Sequence, residues 1–338
     1  MKLSETNVIK SQNLHFMRFI ASVMVIYSHS YVLSGTAPNT DFLYRYSKGA
    51  TSIGGICVAL FFLCSGYLIS KSVVKADKFI PYIKARLIRL LPPLAFLVVV
   101  TVILGAFITN LTFRQYFSSF ATYKYLLNGL LLPVHNLPGV FEQNISSSDV
   151  NGSLWTLPVE FACYIACFIF YKLKLLHKKR FLYTLPIVLA AIILEPRLPQ
   201  ILIFMVKPCV CFYAGMLYYV YREHIVLSIK VLPVAVIMLI GGLSVPWLIT
   251  PLYAIVWSYI LFTVWFSIKQ CPSFLGKTGD YSYGIYLWGF LVQQLLVFAW
   301  GGVMPRFVNF VLAVAISTVL AIFTFLITER PFIRKKAH

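Results

Sequence analysis

The chain has 338 residues, of which 60% are hydrophobic, 16% aromatic and only 12% charged, whereas soluble domains carry about 25% charged residues. Apolar runs near bilayer-crossing length recur from end to end, which excludes a soluble enzyme or a nucleic-acid-binding domain despite the formal net charge of +19. An all-α polytopic membrane protein is what remains.

Hydrophobic patterning predicts ten spans, at residues 17–35, 52–70, 92–109, 153–171, 181–195, 200–221, 230–248, 250–268, 281–300 and 306–328. With the N-terminus in the cytoplasm, the inner segments collect Lys71, Lys75, Lys78, Lys84, Arg86, Arg89, Lys172, Lys174, Lys178, Lys179, Arg180, Arg222, Lys230, Lys269, Lys277, Arg330, Arg334, Lys335 and Lys336. The outer segments hold only Arg45, Lys48, Arg114, Lys124, Arg197 and Arg306. That asymmetry follows the positive-inside rule for an even number of crossings with both termini cytoplasmic. The basic excess therefore reads as topology and contact with anionic lipids, not as a nucleic-acid footprint. No cleavable signal peptide is expected, and residues 1–338 read as one transmembrane domain. Seven cysteines (Cys57, Cys64, Cys163, Cys167, Cys209, Cys211, Cys271) show no zinc-type or CxxC spacing and read as small packing residues, so no metal is expected.

The first span, "FMRFIASVMVIYSHSYVL", is apolar except for Arg18 and His29. Eleven helical steps return to within about 20° of the starting direction, so both residues share one face with His29 roughly 16 Å further along. Arg18 is expected at the cytoplasmic boundary and His29 near the midplane. An ionisable group in hydrocarbon costs several kcal/mol and is a functional candidate by default; the plainer alternatives are a snorkelling arginine and a histidine bonded to a neighbouring helix. The second span holds Ser65-Gly66 in "FFLCSGYLISK", where Gly permits close helix packing and Ser65 reads as a packing serine, with a nucleophile as the alternative.

In "PYIKARLIRLLPPLAF", Pro81 suits a first helical turn, and Lys84, Arg86 and Arg89 alternate with apolar residues as in an interfacial helix that Pro92-Pro93 should kink or break. Arg86 and Arg89, three apart, suit one phosphate or diphosphate, whether of a ligand or of lipid. The 110–152 loop offers His135, Glu142 and Asp149 and is a candidate cover for an acceptor site. In "NGSLWTLPVEFACYIACF", Glu160 is the one acid well inside a predicted span, about 10 Å from its outer end. It is expected to pair with His29 and orient the ring, with Lys207 as the competing partner. Tyr281, Ser282, Tyr283 and Tyr286 open the ninth span, where boundary tyrosines commonly form an aromatic belt.

Taken together, R-x10-H (Arg18, His29), "FFLCSGYLIS", "RLIRLLPP", "NGSLWTLPVEF", "YSYGIYLWGF" and the terminal "TERPF" resemble, in this order and over nearly the whole chain, acyltransferase family 3 of integral-membrane O-acyltransferases. The resemblance implies a bacterial inner-membrane enzyme that moves an acyl group, by family default acetyl, from cytoplasmic acetyl-CoA or another acyl-CoA to a sugar hydroxyl of polysaccharide, lipopolysaccharide or a lipid-linked glycan. It implies His29, Glu160 and Arg18 as the catalytic set and Arg86, Arg89 and Lys84 as contacts to the CoA phosphates. Trp155, Ser65 and Tyr283 would meet substrate. The extracytoplasmic hydrolase-like domain of many relatives is not expected here, which favours direct transfer to an accessible glycan. The rival classes are a transporter or flippase and a polymerase of lipid-linked glycans; paired broken helices, the mark of many transporters, are not evident.

Overall fold

The computed structural model describes residues 11–144, 149–267 and 280–331. Lys269, Cys271, Lys277, Arg334, Lys335, Lys336 and the last residue of "TERPF" lie outside them. Every regular element among the described residues is helical. The principal helices are α1 (Ser11–Leu33), α2 (Ile53–Ala76), α3 (Phe79–Ile108), α4 (Thr156–Lys172), α5 (Leu185–Leu194), α6 (Gln200–Val220), α7 (Leu232–Leu243), α8 (Ser258–Ser267), α9 (Ser282–Ala299) and α10 (Arg306–Thr328). Eight stretches are long and apolar enough to cross a membrane: Gln12–Leu33, Ile53–Ala76, Phe79–Ile108, Gly152–Lys172, Leu202–Val220, Pro246–Ser267, Ser282–Ala299 and Arg306–Thr328. The two other expected spans contain α5 and α7, of 10 and 12 residues. Both begin with a proline in the first turn, and a second proline, Pro196, lies in the turn that follows α5.

The expected break at Pro92-Pro93 is corrected: α3 runs unbroken through both prolines for 30 residues. Two carbonyls four residues upstream lose their usual donors there, but the apolar surface on both sides favours one long helix in lipid, where unpaired backbone is most costly. Beside the interruption, the Tyr283 hydroxyl donates to the Leu90 carbonyl at 2.9 Å.

The chain divides into two compact units. Among the described residues, the first comprises residues 11–21, 42–83 and 159–267. Its principal packing joins α2 and α6, which approach until a Cβ on Gly66 would lie 2.0 Å from the Phe212 carbonyl oxygen, and one on Gly215 2.2 Å from that of Leu63. With nothing but hydrogen at these positions, the two backbones can touch, the usual basis of helix association where lipid competes for apolar surface. An aromatic group of Tyr67, Tyr218, Phe262, Trp265 and Phe266 fills the space beside them, Tyr218 stacking on Phe262 at 4.1 Å.

The second unit comprises, among the described residues, 22–41, 84–144, 149–158 and 280–331. Here α9 and α10 form the principal pair, with Gly284 against Ala321 and Trp288 Nε1 donating to Thr324 Oγ1 at 2.9 Å. The later part of α1 packs on α9: Gly289 leaves room for Ile26, and Gln293 Nε2 donates to the Ile26 carbonyl and to Asn309 Oδ1, each at 2.9 Å. Buried amides thus tie α1, α9 and α10 together, each bond holding in a medium that offers the amide no water. Of the six cysteines among the described residues, five are buried as expected, while Cys209 is exposed.

Candidate active site

Helix α1 carries Arg18 and His29 on one continuous helix. His29 stands one turn before the helix end at Leu33, and Arg18 lies three turns before His29. Within the first unit, the Arg18 guanidinium lies over the Phe61 ring at 5.6 Å, a cation–π contact that offsets part of the cost of its position.

Within the second unit, His29 meets the Phe290 ring edge-on with centroids 5.2 Å apart. Its Nδ1 is buried and has no hydrogen-bond partner, while the residue as a whole is partly exposed. The same Phe290 ring also lies against Gly152, where a Cβ would come within 2.9 Å of it. Asn151 explains how that approach is made. Its side chain accepts from Ser153 N at 3.2 Å to start the 3₁₀ turn Gly152–Trp155, and its Nδ2 donates to the Leu287 carbonyl at 2.8 Å. The turn is pinned again where Tyr286 donates to the Ser153 carbonyl at 3.0 Å and pairs with the Thr156 hydroxyl at 2.8 Å. What is left over is the Ser153 hydroxyl, buried and unpartnered. Buried polar groups nearly always find a partner. Two that do not, His29 Nδ1 and Ser153 Oγ, belong to residues grouped around Phe290.

The basic segment of α3 also belongs to the second unit. Lys84 and Arg89 are exposed and Arg86 half-buried. Arg89 pairs with Asp280 at 3.3 Å, and Asp280 also accepts from Ser282 N at 3.2 Å just ahead of α9. Asp280 therefore fixes Arg89 and the start of α9 at once. Tyr283 is buried with its hydroxyl donating to the Leu90 carbonyl, and Tyr286 is likewise buried and bonded. These two tyrosines tie elements together and form no belt. Trp155, half-buried, ends the 3₁₀ turn.

In the first unit, Glu160 accepts from the Ser65 hydroxyl at 2.9 Å and from the Tyr164 hydroxyl at 2.5 Å. Tyr164 is itself fixed where Tyr82 donates to its carbonyl at 2.8 Å. Lys207 is not the partner of Glu160; it pairs with Glu195 at 3.8 Å and donates to the Ala50 carbonyl at 2.7 Å. Ser65 is thus neither a plain packing residue nor a free hydroxyl, but one of two donors that hold an acid inside α4.

Ser153 and Phe290 lie inside the motifs "NGSLWTLPVEF" and "YSYGIYLWGF" without being singled out there as site residues, and Asp280 lies just ahead of the second. Asp280 had a local signal, an acid two residues ahead of Ser282 at the start of a span, the pattern of a helix cap. Ser153 had one in the turn-forming "NGS" before a helix; Phe290 had no signal beyond its place in the motif.

An "O-acetyl transferase" of Shigella phage Sf6 is 36% identical over 156 residues, a stretch that is 46% of this chain and 44% of the relative. The chain is thus matched over less than half the length of that curated relative. No solved structure matches the chain. A family model described as an acyltransferase domain matches residues 11–328, and on that coverage the chain belongs to the acyltransferase 3 family of membrane proteins.

Proposed function

We propose that the protein is an acyl-CoA-dependent O-acyltransferase that acetylates a hydroxyl of a cell-surface or lipid-linked glycan. The family supports acyl transfer, and the name of the phage relative supports acetyl as the group and oxygen as the acceptor. The observation that carries the reading is His29, a partly exposed imidazole whose buried nitrogen lacks a protein partner.

Transfer from a thioester to an alcohol needs a base for the incoming hydroxyl and a donor for the departing thiolate. His29 takes the hydroxyl proton as the oxygen attacks the thioester carbon. When the C–S bond breaks, the imidazolium returns that proton to the CoA sulfur, so the ring ends as it began. Ser153 Oγ, buried without a partner, is assigned to hold the acceptor or the developing oxyanion. The cluster of Lys84, Arg86 and Arg89 is assigned to the CoA phosphates; Arg86 and Arg89 occupy neighbouring positions on one helix, and Arg–phosphate pairs are short and strong. A phosphate there competes with Asp280 for Arg89. Arg18 is assigned to positive charge along the acyl path. Glu160, with Ser65 and Tyr164 on its carboxylate, is assigned a supporting role in which it neither gives nor takes a proton, and Trp155 is assigned to acceptor stacking. The acyl donor would enter from the cytoplasm and the site would lie in a bacterial inner membrane.

The test is purified wild type and His29→Ala in detergent with radiolabelled acetyl-CoA and the host's lipid-linked glycans. Label should pass into glycan with wild type and fall at least 100-fold with the variant. A fully active His29→Ala protein removes the mechanism. A wild type that ignores every acyl-CoA with competent acceptor present points to transport instead.

A further inference from the structure

Beyond the candidate active site, the first unit holds a second concentration of cations around the end of α4. A cavity of about 380 Å³ opens there, lined by Val74, Tyr171, Lys174, Leu176, His177 and Arg180. Five basic residues and one histidine occupy residues 172–180, and four of the basic residues, Lys179 apart, divide into two kinds. Lys172 pairs with Asp77 at 3.8 Å, and Lys178 pairs with Glu223. Both acids are held below the usual carboxylate range, Asp77 by the Tyr171 hydrogen bond and then by Lys172, Glu223 by the hydrogen bond and charge of Lys178. They stay ionised and cancel their lysines. Lys174 and Arg180 form no ion pair with an acid among the described residues, and these two, with His177, line the cavity. No acid lines it.

The local backbone keeps Lys174 in place. Helix α4 ends with Lys174 N bonded to the Tyr171 carbonyl and Leu175 N to that of Phe170, at 2.9 and 2.8 Å. That closure sets Lys174 at φ 56°, a left-handed position that glycine would occupy at lower cost. Val74 and Leu176 supply an apolar floor beside the charges.

We infer that Lys174, His177 and Arg180 form a binding site for a phosphate group, separate in sequence and role from the Arg86/Arg89 cluster. Two cations and a ring N–H converging on one cavity without an acid match a phosphate's charge and its several acceptor oxygens. A phospholipid headgroup and a soluble phosphate share that chemistry.

The experiment is native mass spectrometry of the full chain in detergent, titrated separately with dioleoyl phosphatidylglycerol, dioleoyl phosphatidylcholine and inorganic diphosphate. Lys174→Gln/Arg180→Gln is expected to weaken one bound phosphatidylglycerol or diphosphate at least tenfold, whereas Lys172→Gln/Lys178→Gln, with the same loss of positive charge, leaves it unchanged. Lys174→Arg/Arg180→Lys keeps the binding, and His177→Ala weakens it about threefold; that single variant carries the test if the double glutamine variant does not fold. A response to phosphatidylglycerol alone identifies a lipid headgroup, and one to diphosphate alone a soluble phosphate; either supports the site. Equal weakening in the two glutamine pairs, unchanged affinity in Lys174→Gln/Arg180→Gln, or phosphatidylcholine bound as tightly as phosphatidylglycerol overturns it.

Discussion

At the scale of single residues, two buried polar atoms without hydrogen-bond partners, His29 Nδ1 and Ser153 Oγ, carry the most testable content. The Ser153 hydroxyl makes no hydrogen bond, although its residue is 2% exposed. Replacing it with Ala removes a desolvated group and breaks nothing, so folding is expected to be unchanged or slightly improved. If Ser153 meets substrate, Ser153→Ala raises the KM for the acceptor or lowers kcat by about 10-fold, the worth of one hydrogen bond, while thermal stability stays level. Unaltered kinetics in the same variant would assign the orphan hydroxyl to packing alone. Glu160 makes the opposite prediction. Its carboxylate holds Ser65 and Tyr164, so Glu160→Gln should keep the geometry but weaken charge-assisted bonds to neutral ones, a cost of about 1 kcal/mol or more; turnover and melting temperature are measured together to separate the two effects. The sequence made Arg18, His29 and Glu160 visible because an ionisable residue in an apolar run stands out whatever its partners are. Their partners were not visible. Phe61 is forty-three positions from Arg18, and Phe290 is far down the chain from His29. Such contacts depend on helix packing, which residue type alone does not encode.

At the scale of elements, apolar length found the helices, and local backbone chemistry decided where they stop. The α3 helix shows one limit of such reasoning: a Pro-Pro pair usually ends a helix in water, yet α3 continues because lipid offers no alternative partners for the backbone on either side. The expected span at 181–195 shows another, since its uniformly apolar sequence carries no sign that the regular helix within it covers only ten residues. Close packing was partly legible: Gly66 stands in a motif that suggests helix contact, but its counterpart Gly215 became evident only when α2 and α6 met. This pair yields a prediction. A Cβ at Gly66 would lie 2.0 Å from a backbone oxygen, a contact that no rotamer change relieves, so the helices must separate. Gly66→Val is expected to destabilise by about 1–3 kcal/mol, the usual range for overpacking. In a Cys209→Ser background, which removes the exposed thiol of α6, a thiol-reactive dye reads this, because Cys57, Cys64 and Cys211 on the two helices are buried: labelling on heating should begin at a lower temperature with Gly66→Val than without it. A melting curve that overlays the wild type would deny the close approach.

At the scale of the whole chain, the open matter is how often it crosses the membrane, and the basic residues bear on it. Helix α5 and its flanking 3₁₀ turns cover residues 182–197, ten residues at 1.5 Å and six at 2.0 Å, or about 27 Å. Residues 229–243, with α7, reach about 24 Å by the same arithmetic. Both fall just short of the roughly 30 Å hydrocarbon core, a deficit that local thinning can absorb at a cost of fractions of a kcal/mol per Å. Eight crossings and ten crossings both leave the two termini on one side. They differ in where residues 222–230 lie: on the side of Lys172–Arg180 if α5 and α7 cross, and opposite if neither does. Arg222 and Lys230 border that segment, and the positive-inside rule favours placing them with the other cations. Ten crossings are therefore expected. An alkaline phosphatase reporter, active only outside the cytoplasm, should be inactive when fused after Glu223 and after Lys179, and active after Lys124. Activity after Glu223, with silence after Lys179, would leave α5 and α7 lying within one leaflet and reduce the crossings to eight.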